Sequence, residues 1–337
     1  MIWTRAEGCG VWDEEGREYL DLSAGFGVAA LGHRNPLIAA AWAAQPVVHA
    51  LGDLADAAVT AALRERLGRP AKLGVTGEDA VEIGLRTALL ATGKPGIVAF
   101  EGAYHGTGLL ALAATSVERF RAPFAAWLPG PVYRRAYGRD PGTLPGDAGC
   151  VIVEPVQGRG GARVPPEGFL ETLRSRCDEA EALLVCDEIY SGLGRTGVMW
   201  RSGELADVLL TGKALGGGLP LSAALFLRPG LERVWELGPE DVLTHTHVGN
   251  PLACAAALVV LEEVPKLLEH VRALGERFEA AGWRGAGLMR AKAGHAGEAL
   301  RRGVIVVPAG EDGSLVSATP PLTISEAEVD EALERLA

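Results

Sequence analysis

Residues 183–220 read LLVCDEIYSGLGRTGVMWRSGELADVLLTGKALGGGLP. Two apolar runs in this stretch each end in chemistry: 183–186 delivers Asp187, and 208–210 leads through Thr211 and Gly212 to Lys213, followed by Gly216, Gly217 and Gly218. Short, nearly unbroken apolar runs are the pattern of strands buried on both faces, as in a parallel sheet covered by helices. In an open sheet of that kind ligands bind outside the carboxyl ends of the strands. An acid and an amine delivered there point to one ligand held between them.

Working outward, CVIVEPV (150–156) repeats the strand pattern, and PEGFLETLRSRCDEAEA after it reads as an amphipathic helix. GIVAF (96–100) is another short strand, followed by EGAYHG, which puts Tyr104 and His105 just past a strand's carboxyl end. LSAALFL (221–227) adds one more. VTGEDAVEIGLRTALLATG predicts a helix beginning after Thr76-Gly77 with an acidic first turn, and such an N-terminus, with its free N–H groups, is a ready phosphate site. Residues 55–67 are a further helix, and AKLG (71–74) falls in a break between helices.

Near the start, 10–22 reads as a hairpin around a turn at 14–16, and a glycine-rich loop then leads into a helix from Leu37. Residues 114–149 have a loop-like composition with five prolines. From about Glu263 the chain changes character to alternating helices and short strands. The expected organisation is an N-terminal segment, 1–48, joined to a small domain; a large ligand-binding domain, 49–262; and a C-terminal small domain, 263–337.

A length of 337 residues suits one large domain with a smaller companion, and 48% hydrophobic residues can fill both cores. A net charge of −11 without a basic tract argues against a nucleic-acid partner. No apolar run reaches membrane-span length, and the first residues lack a signal-peptide core, so the expectation is a soluble, cytoplasmic protein. Five widely spaced cysteines read as buried free thiols.

Three motifs fail on context. G192-L-G-R-T-G197 matches a dinucleotide fingerprint in letters, but EIYS separates it from the strand and no helix opens after it. TGKALGGG places its glycines after the lysine, with Ala214 where a phosphate-binding loop needs Ser or Thr. His245 and His247 lack a third ligand, so no metal is expected.

Lys213 stands out among five lysines: Lys72, Lys94, Lys266 and Lys292 fall in segments read as turns or polar helices, where solvation explains them. A buried lysine has its pKa lowered, so its amine can act as nucleophile and base near neutral pH. An aspartate one strand earlier is what a pyridinium nitrogen requires. Lysine, aspartate and a helix start together describe a pyridoxal phosphate site. On spacing alone, a structural lysine beside a structural acid stays open.

DEIYSGLGRTG, TGKALGGGLPLSA, EGAYHG, EPVQGRGG, THVGNPLACAAAL and PPLTISEAEVDEAL, in this order along nearly the whole chain, resemble the class III pyridoxal phosphate-dependent aminotransferases, the acetylornithine, ornithine and 4-aminobutyrate aminotransferase family. The resemblance implies an α/β fold of the aspartate aminotransferase superfamily (fold type I), with a mostly parallel sheet in the large domain and a smaller α+β domain. It further implies a homodimer with shared active sites and transfer of an amino group from a small-molecule donor to a keto acid in two half-reactions.

By the same resemblance, Lys213 is the Schiff-base lysine and Asp187 the partner of the ring nitrogen. Tyr104 stacks on the ring, with His105 beside it in the YHG motif, and Ile189 covers the other face. Gly77 and Glu78 give backbone N–H groups to the phosphate, and Thr246 reaches the phosphate of the neighbouring subunit. A racemase, aminomutase or decarboxylase with the same cofactor apparatus, or a degenerate cofactor-binding member, are the competing readings.

Departures from the family pattern concern the substrate. Thr107 stands where relatives often carry arginine after the YHG motif, Arg159 replaces the glutamate of GEGG, and Ser317 replaces an arginine ahead of PPL. The expected substrate contacts are Phe26, Thr107, Arg159 and Ser317, with Arg159 either gripping a substrate carboxylate or pairing with Glu154. Glu78 is expected to turn its carboxylate to solvent, away from a phosphate.

Overall fold

The computed structural model describes residues 1–46, 55–238, 242–243 and 245–337. The expected boundary between 48 and 49 lies outside these residues. The chain opens with strands β1 (Trp3–Glu7), β2 (Gly10–Asp13) and β3 (Glu18–Asp21). The β2–β3 hairpin turns where the sequence places it, and its turn is tied by Asp13 Oδ1, which accepts from the amides of Glu15 and Arg17.

The central strands are β4 (Ala71–Gly74), β5 (Gly96–Phe100), β6 (Val132–Arg135), β7 (Ala148–Val153), β8 (Leu183–Asp187), β9 (Val208–Thr211) and β10 (Ser222–Phe226). They form one seven-stranded sheet in the order β4-β10-β9-β8-β7-β5-β6. Only β10 runs against its neighbours, β4 and β9. All the other strands therefore end on the same edge.

Successive side chains of each strand go to opposite faces. Ile97 and Ala99, Cys150 and Ile152, Leu183 and Val185 belong to one core, packed against Ala80, Ile83, Leu85 and Ala88 of the Gly77–Thr92 helix. Val98 and Phe100, Val151 and Val153, Leu184 and Cys186 belong to the other, packed against the helices Phe169–Ala180 and Pro251–Glu263. Each fully buried Leu or Ile stabilises the fold by roughly 1.5–3 kcal/mol. That double burial is why these strands read as unbroken apolar runs. All five cysteines are buried free thiols.

The remaining strands are β11 (Arg284–Ala286), β12 (Met289–Ala293), β13 (Val304–Ile305), β14 (Val307–Ala309) and β15 (Leu315–Ala318). Strand β13 joins β1–β3 by pairing parallel to β3, while β11, β12, β15 and β14 make a separate four-stranded antiparallel sheet. The amide of Thr319 donates to Leu22 and that of Leu322 to Ala30, so the first thirty or so residues pack on the last sixty. The Pro251–Glu263 helix continues through a 3-10 turn, Val264–Leu267, into the Leu268–Ala280 helix without a linker.

Several elements depart from the sequence reading. AKLG is an edge strand, β4, and VYRR is β6, inside the stretch expected to be loop. In β6, Arg134 donates to the carbonyls of Ala113, Ala114 and Thr115, which makes a polar-looking segment fit beside β5. Lys72 and Lys292 lie in strands β4 and β12, not in turns or polar helices; Lys72 stands over the Trp235 ring. The helix expected over 55–67 begins at Ala58.

Candidate active site

A cavity of about 480 Å3 opens at the carboxyl edge of the central sheet. Each of its walls follows from strand geometry. Asp187 closes β8 and pairs in register with Leu210 of β9, so Lys213, three residues further, emerges beside it. Tyr104 and His105 come from the loop after β5, Glu154 from the end of β7, and Thr76, Gly77 and Glu78 from the turn after β4. Phe26 and Arg159 complete the wall together with Ile189 and Tyr190.

Lys213 adopts φ +39°, a left-handed conformation that costs a non-glycine residue energy and recurs at functional sites. Its Nζ lies 4.1 Å from the centroid of the Tyr190 ring. Burial pushes the amine below the ordinary lysine range and Arg159 adds to this, while Asp187 and Glu154 oppose it. The Tyr190 hydroxyl meets Thr319 Oγ1 at 3.1 Å. Its ring occupies space that only glycines leave free: a Cβ on Gly158 would come within 2.4 Å of it and one on Gly27 within 2.9 Å.

Asp187 is 5% exposed. Its Oδ2 lies 2.8 Å from His105 Nδ1, and its Oδ1 accepts from the amide of Ile189. The opposite ring nitrogen, His105 Nε2, is buried without a hydrogen-bond partner. Glu154 Oε1 accepts from the amide of Tyr104 and Oε2 from that of Gly158, and burial raises its pKa to about 7.

The Gly77–Thr92 helix starts with a capping box: Thr76 Oγ1 accepts from the amide of Asp79, and Asp79 Oδ2 accepts from the amides of Val75 and Thr76. The amides of Gly77 and Glu78, in the helix's first turn, have no carbonyl four residues back within it. Gly77 packs on Ile189, whose Cγ2 would lie 3.1 Å from an added Cβ. Glu78 does not point to solvent as expected. Its Oε2 accepts from the Thr107 amide, the Thr107 hydroxyl and the Gly108 amide, because the loop after His105 folds back over the helix start.

Of the expected substrate contacts, Phe26 and Arg159 line the cavity. Thr107 does not, being exposed and engaged with Glu78, and neither does Ser317, which is 2% exposed within β15 with its Oγ unpartnered. Thr246 is exposed and does not line the cavity of its own chain. Tyr190 is a wall residue that the sequence reading passed over, and Glu154, expected only as a possible partner of Arg159, is another. Both stand at or just past a strand's carboxyl end, the position that singled out Asp187.

The model of the family "Aminotransferase class-III" matches residues 1–337. The chain belongs to this family. It is similar to the acetylornithine aminotransferase of Methanopyrus kandleri, with 36% identity over 98% of this chain and 92% of the relative. Similarity to the 5-aminovalerate aminotransferase of Pseudomonas aeruginosa is 34% identity over 83% of this chain and 72% of the relative. Among solved structures, an ornithine aminotransferase from Toxoplasma gondii, with partial occupancy of pyridoxal phosphate at its active site, superposes with a TM-score of 0.90 at 26% identity, covering 99% of this chain and 89% of that one.

This class III aminotransferase is an enzyme of the fold type I architecture, it depends on pyridoxal phosphate, and it transfers an amino group from an amine donor to a keto acid. The residues present fit the cofactor. The cavity is within the roughly 300–1,000 Å3 of small-molecule sites, a buried amine faces it, and a buried imidazole nitrogen is unpartnered. The glycine at the helix start lets the chain approach a phosphate closely. Among the described residues no cluster of His, Cys, Asp or Glu could hold a metal ion, and no helix is long and apolar enough to cross a membrane.

Proposed function

We propose that Lys213 and Asp187 divide the chemistry of transamination, with the other cavity residues holding the cofactor in register. The observation that carries this reading is that the Lys213 amine and the Asp187 carboxylate, from neighbouring strand ends, face one cavity. Pyridoxal phosphate, when bound, supplies a conjugated ring that accepts electrons from the substrate's amine-bearing carbon. Lys213 would hold the cofactor, and its amine, when free, would take up and release a proton as a general base and acid. Its lowered pKa suits that role, since an amine must be partly neutral to accept a proton.

Asp187 would hold the ring nitrogen's proton, and His105, hydrogen-bonded to it at 2.8 Å, fixes the carboxylate's orientation. Gly77 and Glu78 offer amides to the phosphate at the helix start. Tyr104 and Ile189 would bracket the cofactor ring, and the Tyr190 ring lies beneath the Lys213 amine.

The family resemblance extends this to a homodimer in which Thr246 serves the neighbouring subunit's phosphate, and exposure of Thr246 supports it. Five buried free thiols support a reducing, cytoplasmic location. Borohydride treatment of the loaded enzyme followed by peptide mass analysis tests the central assignment. The cofactor's mass should stay on the peptide with Lys213 and vanish from Lys213→Ala. Cofactor mass on another lysine would sink the reading.

A further inference from the structure

Arg159 is a charged cavity residue to which cofactor binding gives no task. It and Lys213 are the two Lys or Arg side chains among the described lining residues, and Lys213 is already committed to chemistry. Its guanidinium carbon lies 4.8 Å from the Tyr104 ring centroid and 5.2 Å from that of Phe120, so two aromatic rings hold it. No ion pair or side-chain hydrogen bond engages it among the described residues. The alternative partner, Glu154, is taken: its two oxygens accept from the amides of Tyr104 and Gly158.

The loop that carries Arg159 is held on both sides. Gly158 packs on Tyr190, the Arg159 carbonyl accepts from the amide of Gly310 at 2.8 Å, and Gly161 packs on Leu315. A guanidinium stacked on aromatic rings keeps its N–H edge free, and that planar edge matches a carboxylate in a two-pronged contact. Pinned backbone and stacked side chain mean little freedom is lost when an anion arrives. Asp187, Glu154 and Glu78 line the same cavity, so a substrate anion is repelled elsewhere and drawn to Arg159.

We propose that Arg159 is the carboxylate-binding residue of the substrate site, so that donor and acceptor are carboxylate-bearing amino and keto acids that use the same arginine in turn. The proposal rests on the transaminase reading for its substrates but not for its binding test. Phe26, 47% exposed at the mouth, and the Tyr104 and Tyr190 rings give the rest of the substrate an apolar path between Arg159 and Lys213.

The test uses the loaded, full-length enzyme and valerate, a carboxylate with no amine to react. Calorimetric affinity for valerate should fall about 10- to 100-fold in Arg159→Ala, the range of a lost charge-assisted hydrogen bond, and Arg159→Lys should restore only part of it. In turnover, the loss should fall on KM for 5-aminovalerate at least tenfold more heavily than on KM for pentylamine. Valerate affinity equal in wild type and Arg159→Ala, or equal losses for the two donors, would overturn the proposal. If valerate binding depends on Arg159 while no donor is transaminated, the catalytic reading fails and the carboxylate site stands.

Discussion

Glu154 is a cavity carboxyl whose chemistry is displaced by its surroundings. Burial raises its pKa from 4.5 to about 7. Between those values the folded protein holds a proton on Glu154 that the unfolded chain has released, so this carboxyl's contribution to stability falls as pH rises through the window and is flat on either side. Each pH unit is worth about 1.4 kcal/mol, giving a few kcal/mol across the window. Glu154→Gln cannot titrate. Thermal melting of both proteins should therefore show the wild type's advantage over the variant shrinking from pH 4.5 to 7 and constant above it. A gap that widens over the same range would show that the carboxylate is stabilised as the anion. The same burial lowers the Lys213 amine, which the Asp187 and Glu154 charges oppose, while His105 and the amides of Tyr104 and Gly158 oppose the rise at Glu154.

At the scale of the element, the start of the Gly77–Thr92 helix shows how an apparently adverse residue is accommodated. An acid at Glu78 should repel a phosphate, yet its carboxylate takes three donors from Thr107 and Gly108 and so ties the loop after His105 to the helix. Loss of these contacts in Glu78→Ala is expected to cost about 1–2 kcal/mol, the range for a few partly exposed hydrogen bonds to a charge. Amide exchange at 107 and 108 should quicken by at least tenfold while the sheet core is unaffected. Unchanged exchange there would mean that the loop is held by its own turn. The element scale also explains the strands that went unread: β4 has four residues and lies at an edge, and β6 carries two arginines whose polarity hides its pairing with β5. Apolar patterning reveals strands buried on both faces and says little about edges.

Subunit pairing is a property of the whole molecule. If Thr246 completes the partner's phosphate site, a mixed dimer of Lys213→Ala and Thr246→Ala chains contains one site with both residues intact and one with neither. Co-expressed chains should then regain activity that Lys213→Ala lacks and that Thr246→Ala shows weakly at low cofactor concentration. Sedimentation should give twice the 35.2 kDa chain mass. Activity of the mixture equal to the mean of the two variants would show that each site is built from one chain. Leu109 and Trp127, 59% and 72% exposed, are apolar surface that such a dimer can cover.

The ends of the central strands, and the side chains they deliver, could be read from the amino-acid order. Asp187, Lys213, Tyr104 and the helix start at Gly77 were legible because strands buried on both faces must be apolar, so the polar residues that end them stand out. Which side chains meet came from the packing of the folded chain. It turned Glu78 onto Thr107 and Gly108, left Thr107 and Ser317 off the cavity wall, brought Tyr190 beneath Lys213, and set Arg159 on two aromatic rings with Glu154 already engaged. Such pairings join residues tens of positions apart, through loops whose directions depend on packing, and no local pattern encodes them.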